Sequence, residues 1–154
     1  MGEGRLKYQQ EFLASVYLEI QELLKLHWQE IALNKNFIHL NPDWDQYKEA
    51  EQAGQLQIFT ARDDEKLVGY FVTTTSRSLH YKDHIFASND VIYLHPDYRK
   101  GLAGWHLLKT AEKYLKQDGV SLLFVNTKIH KPFDVLLTRL GYNHIENVFS
   151  KRLF

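Results

Sequence analysis

The chain of 154 residues contains no cysteine. Disulfides, a cysteine nucleophile and cysteine-ligated zinc are therefore excluded, and the composition fits a reducing compartment. Neither sign of charge is in excess, since 19 Lys and Arg balance 19 Asp and Glu. A neutral chain has no global field to draw it to nucleic acid or an anionic membrane. Aromatic residues, 14% of the chain, could supply stacking platforms, but no basic stripe accompanies them. Long apolar runs are also missing, so no segment is expected to span a bilayer. Met1-Gly2-Glu3-Gly4-Arg5 has no apolar core behind it and does not read as a signal peptide. The first few residues are expected to fray. There is no internal repeat, low-complexity tract or linker. The remaining composition, 44% hydrophobic and 25% charged, is that of an ordinary globular protein with a full core. One domain over residues 1–154 is expected.

The most informative stretch runs from Asn89 to Lys113. Val91-Ile92-Tyr93-Leu94 suits a buried strand, and Pro96 ends it. Leu102, Trp105, Leu108, Ala111 and Leu115 then recur at helical spacing. Between strand and helix lies Tyr98-Arg99-Lys100-Gly101-Leu102-Ala103-Gly104. Two glycines and an alanine bare the backbone at a helix N-terminus, where unpaired N–H groups and the helix dipole suit a phosphate or pyrophosphate. A close packing turn is the plainer reading of such glycines. A P-loop is excluded by the lack of Gly-Lys-Ser/Thr, and a dinucleotide fold by the lack of Gly-x-Gly-x-x-Gly.

Ahead of this stretch, Leu13, Val16, Ile20, Leu23, Leu24, His27 and Ile31 predict one long helix over about Tyr8–Leu33. A second helix is predicted from Asn41-Pro42-Asp43, with Asn41 as cap, to a stop at Gly54. Leu56–Arg62 and Leu67–Thr75 read as a hairpin turning at residues 63–66, with Gly69 a bulge or a point of close approach. An irregular connector follows over Ser76–Ser88. Its His80 and His84 sit four apart beside Asp83, which raises a metal pair. No His-Glu-x-x-His is present, no metal is expected, and the preferred reading is a loop shaping a pocket. After a helix stop at Gly119, the apolar run Val120–Asn126 reads as a central strand covered on both faces. A short helix over Phe133–Leu140 stops at Gly141, and residues 142–154 look strand-like, with Glu146-Asn147 one candidate turn. The fold class is α/β (α+β), with a mixed sheet.

The order strand, His95-Pro-Asp-Tyr-Arg-Lys-Gly-Leu-Ala-Gly104, amphipathic helix, followed later by Leu140-Gly141-Tyr142, resembles the GNAT superfamily of N-acetyltransferases over roughly residues 10–154. The resemblance implies a mixed, mostly antiparallel central sheet with helices on both faces. The family signature, Gln/Arg-x-x-Gly-x-Gly/Ala, can be laid on this chain in two registers. Gly101 and Ala103 in the small slots put Tyr98 in the first, whereas Arg99 in the first puts Leu102 where glycine is usual. The compact Arg-x-Gly-x-x-Gly form resembles GNAT proteins carried by tailed bacteriophages, as do His27–Ala32 and Leu79–His84. That subgroup implies a host-cytoplasm location, with virion association open.

What the resemblance implies for chemistry is acetyl transfer from acetyl-CoA to an amine, without a metal and without a covalent intermediate. The backbone of Tyr93 and Leu94 is expected to pair with the pantetheine arm. Arg99, Lys100, Gly101, Leu102, Ala103 and Gly104 are expected to hold the pyrophosphate, with Asn126 counted among the cofactor contacts. Asp90 is the candidate base, and a simple turn or cap carboxylate is the competing reading. Glu30 and His84 are reserves. By resemblance His27, Trp28 and Glu30 line an acceptor cleft, although core positions for the first two and a solvated Glu30 are preferred. The thiolate acid is the weak point, because Leu137 fills the slot where a tyrosine is usual; His130 or Tyr142 is the substitute, or solvent serves. A non-catalytic CoA-binding or virion-associated module is the rival reading. A small molecule or protein amine acceptor and a homodimer are both left open.

Overall fold

The computed structural model describes residues 5–154. The expected fraying of the first few residues falls on residues 1–4, outside the described residues. Five strands form one sheet in the order β1-β2-β3-β4-β5. They are β1 (Leu6–Glu11), β2 (Leu56–Asp63), β3 (Lys66–Arg77), β4 (Ile85–Leu94) and β5 (Val120–Phe124). All neighbours are antiparallel except β4 and β5, which are parallel. Helices α1 (Leu13–Ile31) and α2 (Trp44–Gln52) cover one face, and α3 (Ala103–Gln117) with the short α4 (Asp134–Arg139) covers the other. Each face has its own core. Leu13, Val16, Ile20, Leu23 and Leu24 of α1 pack on Ile58, Tyr70, Val72 and Tyr93. Leu107, Leu108, Ala111 and Leu115 of α3 pack on Phe59, Phe71 and Ala87. The mixed sheet with helices on both faces is the architecture expected from the sequence.

Several expectations need correction. The long first helix begins only at Leu13, because residues 6–11 pair with β2 as β1. The helical stripe itself starts at Leu13 as well, and the extension to Tyr8 had no buried periodic residue behind it. The second helix is capped by Asp43, whose side chain accepts from Gln46 N–H at 3.0 Å, two residues later than Asn41 would place it. The connector shrinks to residues 78–84, since β3 runs on to Arg77 and β4 starts at Ile85. The apolar run at Val120 is an edge strand and not a central one; it pairs with β4 alone, and the strands buried on both faces are β2 and β3. On α3 the buried stripe is centred on Leu107 and Leu108, and Leu102 is exposed. No strand forms within residues 143–154. Gly69 is a point of close approach: a Cβ there would lie 2.8 Å from Leu94 Cδ1 and 3.0 Å from the Tyr93 carbonyl oxygen.

A partly buried charge cluster ties α1 to the sheet. Arg62 on β2 donates through Nε and Nη2 to Glu11 at 2.8 and 3.1 Å, and through Nη1 to Glu19 at 2.9 Å. Glu19, the one charge near the middle of the α1 stripe, also accepts from the Leu67 N–H at 2.9 Å. Burial alone would raise the Glu11 pKa, but its hydrogen bonds, chiefly from Arg62, outweigh that and leave it lowered.

A second buried polar group sets a pH dependence. His27 Nδ1 lies 3.1 Å from the Tyr70 hydroxyl, and its ring is 5.1 Å from that of Tyr93. Burial pushes its pKa from 6.5 down to about 4; nearby Arg99 and Lys128 add to this and Glu30 opposes it. The folded protein thus keeps His27 neutral where the unfolded chain takes a proton. Above pH 6.5 both states are neutral and the group has no effect. As pH falls from 6.5 towards 4 the unfolded state binds more protons, and stability declines. The full loss is about 3 kcal/mol. Urea unfolding at stepped pH should show this decline, and His27→Leu should flatten it. An unchanged slope in the variant would assign the decline to other groups.

Candidate active site

The site begins where two strands part. β5 pairs with β4 only from Ile85 to Ser88. Beyond that point Val91, Ile92, Tyr93 and Leu94 pair with β3 alone, so the other edge of β4 is open. The fork is pinned by Asn89, whose side chain accepts from the Asn126 N–H at 2.8 Å. Asn126 thus stands at the apex of the cleft. Its opposite wall carries the loop after β5, where His130 Nε2 donates to the Ile31 carbonyl at the end of α1 over 2.9 Å.

Asp90 is the irregular residue of β4. Val72 of β3 faces Val91, but Thr73 faces Asn89, which leaves Asp90 as the extra residue of a β-bulge. Bulges re-aim side chains, and here the Asp90 carboxylate accepts a hydrogen bond from the Tyr47 hydroxyl of α2. Burial, and then that carboxylate, push the Tyr47 pKa upward, so the phenol stays protonated and donating. Tyr47 is the residue that sequence reasoning missed. It lies inside the second predicted helix, 43 positions from its partner, with no local motif to mark it.

His84 is not brought to this point. It precedes β4, bonds Ser121 Oγ through Nδ1 at 2.8 Å, and is separated from Asp90 by six residues of chain, about 20 Å if extended. Tyr142 is also engaged elsewhere. Its hydroxyl donates to Glu112 of α3 at 2.9 Å, and burial with that carboxylate raises its pKa. Glu30 is held by Arg99, which forks onto both carboxylate oxygens at 2.6 and 2.7 Å. That hydrogen bond lowers the Glu30 pKa against the opposing effect of burial. Trp28 is half-buried, with the Lys35 ammonium over its ring. Among the described residues no group of three or more His, Asp or Glu could hold a metal ion.

The turn after β4 is built from a 3-10 segment, Pro96–Tyr98, and the first residues of α3. Tyr98 donates to Asp63 at 2.7 Å, which fastens the turn to the β2–β3 hairpin. Arg99 spans the end of β4: Nε donates to the Leu94 carbonyl at 2.7 Å, and the guanidinium lies 5.4 Å from the centre of the Tyr93 ring. Lys100 and Gly101 are exposed. The N–H groups of Ala103, Gly104 and Trp105 find no acceptor among the described residues, and the first turn of α3 holds no acidic side chain. These donors lie together at the positive end of the helix, an arrangement suited to an anion. Gly104 has a packing reason as well, since a Cβ there would come within 3.1 Å of Leu136 on α4.

An open strand edge that leads to a helix start suited to an anion fits an extended ligand carrying amides and phosphates. The comparisons with known proteins agree with that geometry. An aminoglycoside acetyltransferase from an uncultured soil metagenomic sample, in complex with sisomicin, superposes with a TM-score of 0.74 at 14% identity, over 99% of this chain and 97% of that one. The ribosomal-protein-alanine N-acetyltransferase from Brucella melitensis biovar Abortus 2308 gives 0.71 at 20% identity, over 97% and 99%. A predicted acetyltransferase from Clostridium acetobutylicum, with acetyl-CoA, gives 0.70 at 10% identity, over 96% of each chain. At these identities the likeness is one of fold. No curated protein matches the sequence. The profile of the acetyltransferase (GNAT) family, however, matches residues 17–142, and the chain belongs to that family.

Proposed function

We propose that the protein transfers the acetyl group of acetyl-CoA directly to an amine, with Asp90 as the base. The observation that carries this reading is the open edge of Val91–Leu94, which has a bulged carboxylate at one end and the unsatisfied N–H groups of α3 at the other. The pantetheine amides would pair along Tyr93 and Leu94 as an added strand. The pyrophosphate would rest on the turn at Lys100 and Gly101 and on the N–H groups of Ala103, Gly104 and Trp105. Arg99 is already committed to Glu30 and Leu94, so Lys100 supplies the freer charge. The attacking amine gives its proton to Asp90, directly or through a water, as its nitrogen bonds to the thioester carbon. The tetrahedral centre then collapses, the C–S bond breaks, and the thiolate leaves to be protonated by solvent. Tyr47 holds the Asp90 carboxylate by its hydrogen bond. Glu30, its charge fixed by Arg99, is a structural tie in this reading.

Calorimetry with acetyl-CoA tests the turn. Gly101→Glu puts a carboxylate on the pyrophosphate path at an exposed position. It should raise Kd by more than tenfold, over about 1.4 kcal/mol, with an unchanged melting temperature. Lys100→Ala should cost more at low salt than at high salt. Unaltered affinity in a folded Gly101→Glu protein would detach the cofactor from this turn. Firm acetyl-CoA binding by the wild type with no thiol release on any amine would instead favour a non-catalytic binding module.

A further inference from the structure

The loop after β5 carries two positive charges that nothing in the fold uses. Residues 128–131 form a tight turn in which the Lys131 N–H donates to the Lys128 carbonyl at 3.0 Å, and Lys128 pairs with Lys131 as an isolated antiparallel bridge. Residues paired in this way put their side chains on one face, with Cβ atoms about 5 Å apart. Two lysines therefore stand side by side, and like charges so placed are destabilising. Both are exposed, and neither has an ion-pair partner among the described residues. The acidic groups of the neighbouring elements are committed elsewhere. Glu30 is forked by Arg99 at 2.6 and 2.7 Å, and Asp134 accepts from Thr127 Oγ1 at 2.6 Å. The chain as a whole is neutral, so the pair is a local concentration and not part of a general excess.

The turn is fixed on the same side of the sheet as the Asp90 carboxylate. His130 in the turn donates to the Ile31 carbonyl at the end of α1 over 2.9 Å, and Asp90 accepts from Tyr47 of α2. Both helices cover one face, whereas α3, whose start is the phosphate end of the cofactor path, covers the other. The lysines also act on groups of α1. Lys128 adds to the lowering of the His27 pKa that burial begins, and Lys131 to the lowering of the Glu30 pKa that the Arg99 hydrogen bond begins. Asn89 and Asn126 join the two walls of the cleft at its apex. Asp90 is one residue beyond the apex on one wall. Lys128 is two residues beyond it on the other, no more than about 7 Å of chain. A molecule of a few carbon atoms can therefore place an amine at Asp90 and an anion at the lysine pair.

On the reading that Asp90 receives the incoming amine, we propose that the acceptor also carries an anionic group, a carboxylate or a phosphate, which Lys128 and Lys131 hold together. An anion between the two ammonium groups removes their repulsion and accepts a charge-assisted hydrogen bond from each. The ammonium end of the acceptor is drawn to Asp90, so its two charges orient the molecule before transfer. The transfer itself is unchanged: the N–C bond forms as the proton passes to Asp90, the C–S bond breaks, and solvent protonates the thiolate.

NMR titration of isotope-labelled protein saturated with CoA reads acceptor binding without turnover, at the amide signals of residues 127–131. The probes are matched pairs that differ in the anion: β-alanine against β-alaninamide, and 2-aminoethyl phosphate against ethanolamine. The anionic member of at least one pair should bind with a Kd at least tenfold below that of its neutral counterpart, and the pair that responds separates carboxylate from phosphate. The advantage should shrink at high salt. Lys128→Ala with Lys131→Ala should abolish it, and Lys128→Arg with Lys131→Arg should keep most of it. Neither variant should change the circular dichroism or the Kd of acetyl-CoA. Equal Kd values within both pairs, silent signals at residues 127–131, or an advantage that survives the alanine variant would overturn the proposal. So would a raised acetyl-CoA Kd in the alanine variant, which would assign the lysines to the cofactor. Thiol release on the same probes reads Asp90 separately: a charge preference without turnover would sink the transfer step and leave the anion site standing.

Discussion

Asp90→Asn should bind acetyl-CoA with near-normal affinity and turn over roughly 10²-fold more slowly, or worse, in line with typical general-base contributions. The substitution keeps the shape of the side chain and its capacity to accept from Tyr47, but removes the basicity. The bulge supplies the reason to look here and not at another carboxylate. It takes Asp90 out of the regular ladder with β3, and the Tyr47 hydroxyl fixes the carboxylate at the mouth of the open strand edge. The loss should shrink as pH rises, because more of the acceptor amine is then already deprotonated. Tyr47→Phe should give a smaller loss in kcat, about tenfold, with acetyl-CoA affinity kept, since the carboxylate remains and only its anchor is gone. A pH–rate profile for both variants, on whichever amine is accepted, decides the matter. Parallel profiles at wild-type rates would clear Asp90 and return attention to the acceptor-side groups.

Arg62→Leu should destabilise the protein by about 3 kcal/mol, because it strands a buried carboxylate without its counter-charge. The Arg62 and Glu11 side chains are each only 11% exposed, so water replaces the lost partner poorly. Glu19 is 41% exposed and contributes less to the cost. For a chain of this size the melting temperature should fall by roughly 6–12 °C. The sign of the pH effect is also fixed. In the wild type Glu11 is held below its ordinary pKa, so its contribution is present above the carboxylate range and fades as pH falls through it. In Arg62→Leu the deficit should instead narrow in acid, where a protonated Glu11 no longer carries an unpaired charge. Glu11→Leu added to Arg62→Leu should recover much of the loss. A single variant as stable as wild type at neutral pH would show that the cluster is solvated in practice.

The parts of the fold that were legible in the sequence are those whose signals are local. Val91–Leu94, the glycine turn, the amphipathic α3 and its stop at Gly119 lie within thirty consecutive positions, and each carries its own punctuation. The stop is a backbone requirement, since Gly119 has φ +85°. What failed did so where tertiary partners decide. Lys7 to Glu11 have no strong strand signal and become β1 because β2 offers an edge. The apolar run Leu122-Leu123-Phe124 could be a central strand or an edge, and only strand order distinguishes them. Residues 142–154 have strand-like composition but no strand partner among the described residues. In the site, Asp90 could be picked out by its place before the strand, whereas its bond to Tyr47, the Arg99–Glu30 fork and the tether from His130 to Ile31 join positions 43, 69 and 99 apart. No periodicity spans such separations.

The bulge has a consequence for reading variants at position 90. In a regular strand, residues two apart share a face, so Ala87, Val91 and Tyr93 should all point the same way. Here Ala87 belongs to the core under α3, while Val91 and Tyr93 belong to the core under α1. β4 is therefore two half-strands of opposite phase, joined by one supernumerary residue. Deleting Asp90 would remove the supernumerary residue and make Asn89 and Val91 consecutive partners of Thr73 and Val72, so Val91 and Tyr93 would stay under α1 and Ile92 under α3. A substitution at this position tests the carboxylate alone, whereas a deletion removes the bulge with it and leaves the two core faces in phase.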